Sequence, residues 1–159
     1  MHRTQNQPHS PAPAVDISPA TILRGAAQYL TAHGWTQGAY YADITQPFPA
    51  ACVTGAIAMA AYGRTTPYPS HTNAPGVRDY RRAVDALADY LDLEGHYDPD
   101  SDIVLPFSWN DDPDRTAEQV ISTLHAAAEQ CDRETYEQNE LDHDRIPTTE
   151  GFLAWVGTR

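Results

Sequence analysis

Hydrophobic residues recur at helical spacing in four stretches of this chain, and one stretch differs in kind from the others. From Pro49 to Gly63 the sequence P-A-A-C-V-T-G-A-I-A-M-A-A-Y-G is apolar on every side, the pattern of a helix buried all round. Its alanines and Gly55 allow neighbouring backbones to approach closely, and Gly63 supplies a residue able to turn left-handed past its end. The remaining three carry a single apolar face. Ser18-Pro19 reads as an N-cap followed by proline at the first helical position. Ile22, Leu23, Ala26, Ala27 and Leu30 follow at helical steps, with His33 in the last turn and Gly34 beyond it. Trp35 is expected to fold back on Leu30 there. A helix from about Pro75 to Glu94 spaces Val77, Tyr80, Val84, Leu87 and Leu91 by threes and fours; Gly95 ends it, and Arg81 stands four residues before Asp85. The last of the four has the clearest beginning, a Thr116–Gln119 capping box with Glu118 in the first turn. Val120, Ile121, Leu124, Ala127, Ala128 and Cys131 supply its apolar face.

Exposed strand pattern is scarce, so the expected fold is all-α: a small bundle of about four helices around the Ala-rich central one, with structured loops. Residues 1–17 are polar, Pro-rich and without hydrophobic period, and read as a disordered N-terminal arm. Residues 18–131 form the helical domain. Residues 132–159 form an acidic helical extension and a tail whose Phe152, Leu153, Trp155 and Val156 are expected to pack on the core.

Composition narrows the function. At 159 residues the chain is long enough for one sizeable core. Its net charge of -12 disfavours nucleic acid and anionic membrane surfaces, and its basic residues are all arginine. No apolar run is long enough for a membrane span, and the N-terminus lacks the apolar centre of a secretory signal. With two cysteines, both expected within helices, a reducing cytoplasm is the natural compartment.

Four features bear on chemistry. Cys52, near the start of the central helix, is the candidate catalytic residue, since a helix dipole favours a thiolate. His71 or His96, with Asn110, would complete a Cys-His-Asn arrangement; the plain alternative is a small buried hydrophobe. Trp109-Asn110-Asp111 precedes the capped helix, where Trp109 would plug the bundle while Asn110 and Asp111 shape a loop or a polar pocket. Asp98, Asp100 and Asp102 alternate like a calcium loop, but Ile103 and Trp109 stand where Gly and Glu are needed. Asp142-His143-Asp144 lacks further ligands for zinc, so no metal or cofactor is expected. The fourth feature is the acidic surface, which allows a DNA-mimic reading.

G-W-T-Q-G at 34–38, C-V-T-G-A-I at 52–57 and W-N-D-D-P-D-R-T-A-E-Q-V at 109–120 together resemble an uncharacterised domain family of actinobacteria, other bacteria and their phages. The resemblance spans roughly residues 20–130 and implies no activity. It implies that Trp35, Gln37, Cys52, Gly55, Trp109, Asn110, Asp111, Arg115 and Thr116 occupy recurring positions. Trp35, Gln37, Trp109, Asn110, Asp111 and Arg115 are accordingly the candidate binding residues. Arg115 with Asp111 or Asp112 would make a loop-closing ion pair.

The expected function is that of a small acidic cytoplasmic protein, non-catalytic, binding or regulating a protein partner. A thiol-dependent hydrolase or transferase using Cys52 is the alternative, and a DNA mimic the third reading.

Overall fold

The structure is a computed structural model, and it describes residues 16–96 and 105–159. The expected arm up to residue 15, and Asp98, Asp100 and Asp102, lie outside the described residues. Six helices follow in order: α1 (Pro19–His33), α2 (Val53–Tyr62), α3 (Val77–Leu93), α4 (Pro106–Asn110), α5 (Ala117–Asp142) and α6 (Thr149–Val156), with a 3₁₀ turn at Pro69–His71. The fold is all-α, a small bundle.

At its centre, α2 packs between α1 and α3 with α4 at one end, while α5 lies along α1 and touches α3. Val53, Ala56, Ile57 and Ala58 are sealed from solvent and share one hydrophobic core with the equally buried Leu23, Leu87 and Leu124 of α1, α3 and α5. Burying each of those large side chains stabilises the fold by roughly 1.5–3 kcal/mol. Small side chains along α2 let three neighbours approach it together.

The central helix is shorter than its apolar run. Pro49 to Cys52 is extended, because Pro47 and Pro49 lack backbone donors and the 34–42 loop offers these residues other partners. Ala51 N–H donates to Gly34 O at 3.2 Å and Ala51 O accepts Thr36 N–H at 3.0 Å, while Cys52 N–H donates to Tyr40 O at 3.0 Å. Trp35 and Tyr41 each form an isolated bridge to Ala51, one parallel and one antiparallel. The stop after α1 is not of the Schellman type: Gly34, at φ 92° and ψ 162°, lies outside the left-handed helical region, caps α1 through its N–H to Leu30 O and sends the chain into this pairing.

Two other expectations change. Residues 106–110 form the short α4, begun by Pro106, where the sequence pattern gives no helix. Arg81 donates to Ser70 O at 2.8 Å rather than meeting Asp85. The caps at Ser18 and at Thr116–Gln119 form as read. α5 continues unbroken to Asp142, with Asp132 and Tyr136 buried on its inner face. At 26 residues it is about 39 Å long, against about 22 Å for the 15 of α1. Its overhang is covered by α6. There Phe152 is buried and Trp155 half-buried, whereas Leu153 faces solvent at 66 % exposure.

Candidate functional site

The sequence places Trp35 and Gln37 after α1, Cys52 before α2, and Trp109 to Arg115 across the end of α4 and the turn before α5; folding gathers them at the N-terminal end of α2. The first helical N–H groups of any helix lack intrahelical partners. Here one of them is met from a distance: Val53 N–H donates to Asn110 Oδ1 at 2.9 Å. The same oxygen accepts Trp35 Nε1–H at 2.7 Å. Asn110 Nδ2 donates to Thr36 O at 3.3 Å and to Asp111 Oδ1 at 2.8 Å. With both acceptor sites and both amide hydrogens engaged, the carboxamide is saturated, and Asn110 is fully buried.

The flanking residues extend this lock. Gln37 Nε2 donates to Asn110 O at 2.9 Å and to Asp112 O at 2.8 Å. Asp111 Oδ1 also accepts Gly38 N–H at 3.0 Å. Arg115 donates from Nε to Trp109 O at 3.1 Å and pairs with Asp112 at 3.3 Å, so Asp112 rather than Asp111 closes the loop. Its guanidinium lies 4.2 Å from the centre of the Trp109 ring, in cation–π range. His96 meets the same indole edge-on at 5.9 Å. Trp109 is buried, and its Nε1 has no acceptor among the described residues.

Cys52 sits inside the lock as the N-cap of α2. Its Sγ accepts Gly55 N–H at 3.4 Å and stands 3.3 Å from Thr54 Oγ1. The sulfur is sealed from solvent, and burial pushes the thiol above its ordinary value, opposite to the lowering expected from the helix dipole. Desolvation exceeds the contribution of the nearby N–H groups here. Neither His71 nor His96 hydrogen-bonds to the sulfur among the described residues; His71 is exposed on the 3₁₀ turn, and His96 lies on Trp109. Asn110 is close in the fold but engaged with backbone and Trp35, so it orients no imidazole.

Sequence reasoning missed Tyr40, whose carbonyl receives Cys52 N–H and lies against Gly55 so closely that a Cβ there would collide with it. The glycine inside a buried helix was the available signal of a close backbone approach. Pairing of Arg24 on α1 with Asp132 on α5, at 2.7 Å across 108 positions, carried no signal in either local pattern.

Among the described residues no group of three or more His, Cys, Asp or Glu could hold a metal ion, and no helix is long and apolar enough to cross a membrane. The model of a family of unknown function (DUF6197) matches residues 14–130, an interval that contains the whole lock. Neither the curated proteins nor the solved structures include a match.

Proposed function

Because the chain belongs to this family of unknown function, which brings no activity with it, we propose from the geometry that the protein is a non-catalytic module that binds or regulates a protein partner in the cytoplasm through its acidic surface. One observation carries the reading: the carboxamide of Asn110 is saturated by bonds within the chain. The polar residues most able to act on a substrate are thereby committed to holding two loops and a helix end together. Function then belongs to the outer surface.

That surface has a definite charge. Seven arginines of the described residues pair with carboxylates of the same chain. Asp85, Asp89, Asp114, Glu118 and Glu137 are exposed and have no such pairing among the described residues. A partner with clustered Lys or Arg fits this distribution, and nucleic acid, which such carboxylates repel, does not.

Cross-linked capture from the native host, comparing the wild-type chain with an Asp85→Arg/Asp89→Arg/Asp114→Arg/Glu118→Arg variant, tests the reading. The expected result is a protein retained by the wild type and lost by the variant; identical captures would remove it. The thiol-enzyme alternative is separated by alkylation of Cys52 in a Cys131→Ser background. Modification that keeps pace with unfolding supports a sealed thiol, whereas rapid modification of the native chain near neutral pH would favour the enzyme.

A further inference from the structure

On the overhang of α5, Asp132, Arg133 and Tyr136 share one face, at steps of three and four, and each meets one feature of α6 or the turn after it. The Phe152 and Trp155 rings lie 5.8 and 5.9 Å from the Tyr136 ring, centre to centre. Arg133 places its guanidinium 4.5 Å from the centre of the Phe152 ring. Asp132 is buried and held by Arg24 of α1 at 2.7 Å, and it also accepts Arg159 Nη1 at 3.4 Å. Gly151 permits the close approach, because a Cβ there would collide with the Tyr136 hydroxyl. Together these side chains make a seat for a helix.

Its occupant is held loosely. A helix shorter than about 12 residues is marginal in water, so the eight residues of α6 depend on docking. Within α6 only Phe152 is buried, while Leu153 and Val156 remain exposed. A crevice of about 450 Å³ stays open between α1, α5 and α6 along Phe152, Leu153 and Val156, so the seat is partly unfilled. The connection allows release: Asp144, in the left-handed region at φ 53°, turns the chain just after α5, and residues 141–146 are exposed. Glu129 and Glu137 border the seat in a chain of net charge -12. A basic helix is therefore favoured there, and a second copy of this chain is disfavoured.

We propose that α6 is a displaceable strap, and that its seat on α5 receives instead an amphipathic helix of a partner protein. The pattern of α6 states what that helix carries: Gly-Phe, a second aromatic three residues on, and an arginine four further, matching Gly151, Phe152, Trp155 and Arg159. The seat uses none of Asp85, Asp89, Asp114 or Glu118, so charge reversal at those positions does not remove it.

Amide exchange of the full chain, with binding of a fluorescein-labelled synthetic peptide of residues 146–159, tests it. The α6 amides are expected to exchange about tenfold or more faster than those of α2, through an opening that leaves the bundle folded. Phe152→Ala is expected to vacate the seat, keep α2 protected and bind the peptide about tenfold or more tighter than the wild type. Arg159→Glu, at a half-exposed position, is expected to act in the same direction by about twofold or more. A peptide carrying Phe152→Ala and Trp155→Ala is expected to bind about tenfold or more weakly. Exchange of α6 only in step with α2, equal peptide affinity of the wild-type and Phe152→Ala chains, or unaltered binding of the doubly changed peptide would each overturn the proposal. So would a concentration-dependent wild-type dimer lost in Phe152→Ala, because a second copy would then be the occupant.

Discussion

Asn110 Oδ1 accepts the N–H of Val53 at 2.9 Å, across 57 positions of sequence. A side chain at the end of α4 thereby completes the cap of α2, whose own cap atom is the sulfur of Cys52, a weak acceptor. Trp35 reaches the same oxygen, so one carboxamide joins the three motif-bearing segments.

Asn110→Ala is therefore expected to be among the most destabilising single changes in the chain. It strands the buried Val53 N–H and removes the acceptor of Trp35 Nε1, and each such group costs about 1–3 kcal/mol. A loss of roughly 3 kcal/mol or more in urea unfolding is the expected outcome. A loss under about 1 kcal/mol would mean that water replaces the carboxamide and the lock is dispensable.

Gly55→Ala sets two effects against each other. Helix propensity favours alanine by about 1 kcal/mol, but its Cβ would collide with the Tyr40 carbonyl, a backbone atom that cannot rotate away. Overpacking of this kind costs about 1–3 kcal/mol, so the net sign is destabilising. An unchanged or raised melting temperature would contradict the packing of the 34–42 loop on α2.

Thr116→Ala breaks a reciprocal pair, because Thr116 Oγ1 accepts Gln119 N–H at 3.2 Å while Gln119 Oε1 accepts Thr116 N–H at 2.9 Å. The expected cost is about 0.5–2 kcal/mol. Since the two side chains serve one helix end, the double variant with Gln119→Ala should lose less than the sum of the singles. Strict additivity in denaturant melts would show that the capping box does not act as a unit.

Alkaline pH should weaken the fold in a definite window. Burial raises the thiols of Cys52 and Cys131, the latter to about 11, and raises the Tyr41 phenol to about 12. Each group is neutral when folded and ionises earlier when unfolded, so the unfolded chain binds fewer protons in this range and stability falls as pH rises. The contribution is intact below the ordinary thiol value near 9 and disappears progressively toward pH 12. Cys131→Ala should flatten the part of the decline between about 9 and 11. A decline of the same steepness in that variant would assign it to other groups.

Much of the fold was legible because its signals are local. The Ser18 cap and the Thr116–Gln119 box depend on residues three apart, and the single apolar faces of α1, α3 and α5 repeat within each helix. The short α4 escaped because five residues carry no periodicity, and the start of α2 was misplaced because Pro49 to Cys52 is as apolar as the helix that follows. Composition cannot separate a buried extended segment from a buried helix.

The candidate residues divide in the same way. Their types in the sequence marked Trp35, Gln37, Asn110, Asp111 and Arg115 as polar or amphipathic groups needing partners, and that need follows from the cost of burying an unpaired donor or acceptor. Which partners they take was a tertiary matter: bonds from Trp35 and Gln37 to Asn110 span 75 and 73 positions, and no local pattern encodes such distances. The environment of Cys52 was likewise set by packing, since desolvation depends on every segment that closes over the sulfur while the helix-end effect depends only on its own turn. Helix positions followed from neighbouring residues along the chain, whereas burial, charge pairing and the crevice under α6 followed from surfaces that meet only when the chain is folded.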